Sequence, residues 1–132
     1  MPDRVFFACG ACHILAYAFL EQHGEKGWQA VWIKPAAGHT GNHIFATDGV
    51  RAFDYHGVCD RGRLLSHYWR RARLHHPGWD ATLETLDAEI LIAGPASRQI
   101  DGLWLRGPSE YFQDALPRAR AFLDRFPALA AL

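Results

Sequence analysis

Residues 6–20 read FFACGACHILAYAFL, with Cys9 and Cys12 at the mouth of an apolar run. Every residue from Ile14 to Leu20 is apolar or aromatic. A run with no polar face predicts a helix buried on all sides. Gly10 and Ala11 allow a tight turn just ahead of it, which places Cys12 near the helix N-terminus. The amide N–H groups there have no intrahelical acceptor, and the helix dipole favours a thiolate over a thiol. Cys12 is therefore a candidate nucleophile and Cys9 its structural neighbour. That role requires a base elsewhere in the chain.

The chain has 132 residues, which fits one domain spanning 1–132 and lets about two-thirds of the unfolded surface be buried. Fourteen Lys and Arg balance fourteen Asp and Glu, so no global charge draws in nucleic acid or an anionic membrane. Eight His supply a pool of neutral bases. The N-terminus shows no signal-peptide core, and no apolar span approaches about twenty residues. The expectation is a soluble, cytoplasmic protein with no membrane partner. Three cysteines make no disulfide framework and read as thiols.

The buried helix should end near His23, where Gly24 and Gly27 stop it. Residues 28–34 read as a strand ended by Pro35, and 36–42 as a loop holding His39. An Asp48-Gly49 pair between the apolar segments 43–47 and 50–55 signals a hairpin with a type I′ turn. Residues 57–60 read as a turn. A helix over 61–75 follows, with apolar residues at helical spacing, broken by Pro77-Gly78. Residues 79–86 alternate like a half-buried strand, and 88–93 like a shorter, more buried one. A last helix is expected from Pro108-Ser109 to about Phe126, capped by Ser109 and kinked at Pro117. The pattern is one α+β domain without repeats.

The hairpin register locates the base. A two-residue loop pairs Thr47 with Val50 and sets His43 opposite Asp54, on one face of the sheet, with Cβ atoms about 4.5–5.5 Å apart. Asp54 could then hold one imidazole nitrogen and leave the other as a base, the orienting task of the third member of a triad. A one-residue slip would separate the two across the sheet.

Cys9-Gly10-Ala11-Cys12 ahead of a buried helix resembles the C-G-[SA]-C-[WY] signature of papain-type cysteine peptidases, with His13 in the aromatic position. The order Cys, His, then a polar residue on the next strand also resembles NlpC-type and transglutaminase-like members of the papain-like superfamily. The resemblance covers roughly residues 6–58. It implies a papain-like α+β core, in which a buried N-terminal helix carrying the Cys packs on an antiparallel sheet carrying the His and its orienter, with additional helices. It implies further that Cys12, His43 and Asp54 act together on an amide, ester or thioester carbonyl through a thioacyl intermediate, with no cofactor. The substrate would be a small molecule, peptide or protein. The Cys12 to His43 interval is too short for a two-lobed peptidase. Asp54 replaces the Asn of papain, and no Gln or Asn precedes Cys12 to serve as the usual oxyanion donor.

Other readings attach to the same residues. Cys9, Cys12, His56 and Cys59 form C-x2-C followed by H-x2-C, a tetrahedral zinc set that would make the protein a structural or interaction module. Cys9-x-x-Cys12-His13 also spells the c-type haem attachment motif, but the only Met is Met1 and haem attachment requires export. His39 and His56 are substitute bases in nearby loops. His13 projects about 100° away from Cys12 on an ideal helix. Cys59 reads as a loop thiol. Arg63, Arg70, Arg71 and Arg73, with Tyr68 and Trp69, read as a solvated helix face rather than a nucleic-acid patch.

Overall fold

A computed structural model describes residues 1–132. The apolar stretch divides at Gly10 into two helices, α1 (Asp3–Cys9) and α2 (Cys12–His23), whose axes meet at 101°. No periodic pattern in residues 3–9 marks α1. α2 begins at Cys12 and is buried all round: Ile14, Ala18 and Phe19 have no exposed surface. After His23 the chain tightens into a 3-10 turn and leaves through Gly27, whose φ of 86° suits glycine.

Five antiparallel strands form one sheet: β1 (Gln29–Pro35), β2 (His43–Thr47), β3 (Arg51–Asp54), β4 (Gly57–Asp60) and β5 (Ala81–Leu86), in the order β4-β3-β2-β1-β5. The fold is α+β. Alternate residues serve two cores. Ala30, Trp32, Ile44, Ala46 and Phe53 pack with α2 on one face. Val31, Ile33, Phe45 and Ala52 pack on the other with Trp79 and with Leu64 of α3 (Arg61–His75). Asp60 caps α3 by accepting from the Arg63 N–H at 3.1 Å. No single helix is long and apolar enough to cross a membrane.

The hairpin register differs from the expected one. Thr47 pairs with Ala52 rather than Val50. The Asp48 carboxylate accepts from the Val50 and Arg51 N–H groups at 2.9 and 2.7 Å, which draws both residues into the turn. An Asp side chain competing for local amides in this way replaces the two-residue turn. The shift is two residues, so every side chain stays on its expected face. Residues 57–60 are a strand rather than a turn, β4, paired with β3 from Asp54 opposite Gly57 to Arg51 opposite Asp60.

Two further expectations are corrected. Residues 88–93 are not a strand: Ala88–Ile92 coils into a 3-10 turn that seats Leu91, with no exposed surface, in the α2 core. A short apolar run covers a helix as well as it fills a sheet. The last helix is short: α4 (Ala115–Leu123) starts at Asp114, whose side chain accepts from the Leu116 N–H at 3.0 Å, and Ser109 lies in a separate 3-10 turn. Pro117 sits in the first turn of α4, where its N–H would have no intrahelical acceptor, so no kink results.

Phe19 ties α2 to the sheet, stacking on Phe53 at 4.5 Å and meeting Trp28 edge-on at 4.8 Å. Truncation to Ala leaves a void that close packing does not refill. Phe19→Ala is expected to lower unfolding stability by about 3–5 kcal/mol, measured by urea or thermal denaturation.

Candidate active site

Three elements converge on Cys12. As the first residue of α2, its own N–H has no intrahelical acceptor. Its thiol is half-buried and faces a small cavity of about 100 Å³, shared with Trp32, Asn42, His43, Ile44 and the chain from Gly102 to Leu105. His43, at the start of β2 and 3% exposed, lines that cavity as well.

Asp54 sits on β3 on the same face as His43, in a diagonal position rather than directly opposite. Such neighbours remain within side-chain reach. His43 Nε2 and Asp54 Oδ2 are 3.0 Å apart, both residues being buried. Because Nε2 is engaged by the carboxylate, Nδ1 is the nitrogen left to act on Cys12. The other carboxylate oxygen accepts from the His56 backbone N–H at 2.9 Å, with the His56 imidazole at 3.3 Å. Tyr68 of α3 stacks on the His43 ring at 5.1 Å and 12°, fixing its plane.

The electrostatics follow from these contacts. Burial alone would raise the Cys12 thiol pKa, but hydrogen bonding and charge from His13 and His43 outweigh it and bring the value down to about 5. Burial would likewise discharge His43, yet the Asp54 carboxylate and the Cys12 sulfur raise it to about 10. Desolvation pushes the Asp54 carboxyl upward, and His43 together with the His56 N–H holds it below its ordinary range. Between those two values the thiolate and imidazolium coexist as an ion pair.

His13 belongs to the site, contrary to the helical-wheel expectation. Its Nε2 donates to the Arg106 carbonyl at 2.8 Å, which turns the ring back over the start of α2. Helical side chains lean toward the N-terminus, and Cys12 is the terminal residue, so the usual angular separation does not apply. Tyr111, donating to the Gly10 carbonyl at 2.6 Å, closes the same corner.

Sequence reasoning also missed Asn42. Its Oδ1 accepts from the Trp32 indole N–H at 2.7 Å. An indole nitrogen only donates, so the atom facing it must be the amide oxygen, and the NH2 group is left free beside the Cys12 cavity. The residues just ahead are held too: Trp79 donates to the Thr40 carbonyl at 2.8 Å and Tyr68 to the Gly41 carbonyl. The signal available in the sequence was only that Asn42 adjoins the candidate base.

The remaining candidates lie elsewhere. Cys9, His56 and Cys59 line a second, larger groove on the other side of His43, while Cys12 faces the small cavity. All three cysteines are free thiols, Cys59 lying on β4 rather than in a loop. No three His, Cys, Asp or Glu side chains are grouped to hold a metal ion. The zinc set Cys9, Cys12, His56 and Cys59 is therefore not assembled, because the start of α2 directs Cys12 away from the others. His39 stays in the loop after β1 and is not part of the cluster.

The chain matches no protein-family model, and neither the curated proteins nor the solved structures contain a significant match to it.

The ion pair sets a pH signature. Cys12 is expected to alkylate with a transition midpoint near pH 5 and a plateau through neutrality, against about 8.5 for an ordinary thiol. His43→Ala should move the midpoint toward that ordinary value, and iodoacetamide rates across pH 4–10 measure both. A single rise near the ordinary value in the unaltered protein would exclude the ion pair.

Proposed function

We propose that the protein is a cysteine-dependent hydrolase or acyltransferase of papain-like type, with Cys12 as nucleophile, His43 as acid and base, and Asp54 as orienter. One observation carries this: the thiol at a buried helix start stands beside an imidazole whose far nitrogen is held by a buried carboxylate. The order of the three along the chain, helix then strand then neighbouring strand, agrees with the papain-like resemblance of residues 6–58.

The Cys12 thiolate attacks the carbonyl carbon of an amide, ester or thioester, and the carbonyl π electrons move onto oxygen. The Cys12 N–H and the free amide NH2 of Asn42 are the donors suited to that oxyanion, the second replacing the absent Gln. Collapse breaks the bond to the leaving group, which takes the proton from His43 Nδ1. Water or another nucleophile, deprotonated by the same nitrogen, then attacks the thioester and releases Cys12. The Trp32 hydrogen bond orients Asn42 before any substrate arrives, and such pre-orientation is what makes a donor effective.

The test is to trap the intermediate. With p-nitrophenyl acetate, an acetyl adduct on Cys12 and a burst of p-nitrophenol are expected, both absent in Cys12→Ser. No adduct on Cys12 under conditions where iodoacetamide labels it would overturn the proposal.

Asn42→Ala separates the oxyanion role from mere support of the loop. Acylation passes through an oxyanion and alkylation does not. The variant should lose acylation by on the order of 10²-fold and alkylation far less. Equal losses in the two reactions would assign Asn42 to holding the loop only.

A further inference from the structure

His43 stands between two cavities of opposite character. The small one, beside Cys12, is walled largely by Trp32, Ile44, Leu103 and Leu105. On the far side of His43 opens a groove of about 880 Å³ between the end of α1, the β2–β4 end of the sheet and α3. Arg63, Arg70, Arg71, His56, His67 and His75 line it. Residues 63, 67, 70 and 71 fall within about 100° of one another around a helix, so α3 presents them as one face.

None of Arg63, Arg70 and Arg71 makes a salt bridge; of the other nine arginines six do, and Arg4, Arg61 and Arg106, which do not, lie outside the groove. Asp54 is the only acidic residue lining the groove, and it is 5% exposed with both oxygens engaged. The whole chain is neutral, so this cationic surface is a local concentration rather than a by-product of composition. The unpaired groups are all Arg, whose planar fork matches a carboxylate or phosphate in two-point contact. A solvated helix face accounts for their exposure. It does not account for three cations left without acids along the groove that reaches His43.

The groove opens on the Asp54 side of His43, and Cys12 lines only the small cavity, so an anion held in the groove belongs to a part of the substrate away from the scissile bond.

Resting on the cysteine-hydrolase reading, we propose that the groove of Arg63, Arg70 and Arg71 binds an anionic group of the substrate, a carboxylate or a phosphate, away from the scissile bond. Cationic clefts raise the local concentration of anions by roughly 10- to 10³-fold, and salt erases the effect.

Two alkylating probes of nearly the same size test this. Iodoacetate is an anion and iodoacetamide is neutral, and their rates at Cys12 are compared at pH 6.5 in Cys9→Ser protein. The iodoacetate to iodoacetamide ratio is expected to fall about tenfold in the triple variant Arg63→Gln, Arg70→Gln, Arg71→Gln, and likewise in high salt. Arg120→Gln, on α4, should leave it unchanged. A ratio indifferent to the three arginines overturns the proposal.

A second measurement does not depend on the thiol. Inorganic phosphate and glutarate are titrated separately, following the His56 and His67 imidazole resonances. Saturable shifts lost in the triple variant support the groove, and the tighter ligand identifies phosphate or carboxylate. Absence of both shifts overturns it. If Cys12 alkylates like an ordinary thiol, the nucleophile assignment fails and the titration alone decides whether the groove binds anions.

Discussion

The burial of α2 on every side is the constraint on which the site depends. Its apolar faces meet the sheet, α4 and the 3-10 turn at Leu91 together. Moving the helix would open several contacts at once, each large side chain representing about 1.5–3 kcal/mol of burial. β2 is held in the same way, with β1 and β3 on either side. The sulfur at the end of the helix and the imidazole at the start of the strand are therefore fixed by elements that cannot drift. The His43–Asp54 pair does not itself supply that rigidity. Bringing a carboxylate and an imidazolium out of water costs several kcal/mol that their attraction only partly returns. The apolar cores on both faces of the sheet offset this cost and hold the pair in place.

Much of this arrangement was legible in the sequence because its strongest signals were periodic ones. The unbroken apolar run 14–20, the strand after Gly27 and the amphipathic 61–75 helix are each specified by many residues acting together. The hairpin shows how far such reasoning extends. The turn departs from type I′ because the Asp48 carboxylate takes two local amides. The error was two residues, and since side chains alternate with a period of two, His43 and Asp54 remained on one face. Features set by single long-range contacts were not legible. The His13 ring depends on a carbonyl 93 residues away, and the Asn42 amide on an indole of the neighbouring strand. Ala88–Ile92 had the composition of a strand, and only the uncovered flank of α2 determined that it would coil.

The two sides of His43 show how one neutral chain separates two kinds of environment. Near Cys12 the walls are largely apolar, so charges there interact through a low dielectric and the ion pair is strong. Across the imidazole, the α3 cations stand in open solvent, where long-range attraction matters more than any single contact. His43 lines both cavities. On the proposed function, a substrate that reaches both cavities would be oriented by polarity as well as by shape.

The activated thiol is also a property that no fragment of the chain possesses. Its two imidazoles come from α2 and β2, and their own partners are Arg106 and Asp54, drawn from distant parts of the sequence. Until both layers have closed on the sheet, Cys12 is an ordinary cysteine with an ordinary affinity for electrophiles. Adduct formation at that one sulfur atom at mildly acidic pH therefore reports that the last long-range contacts have formed.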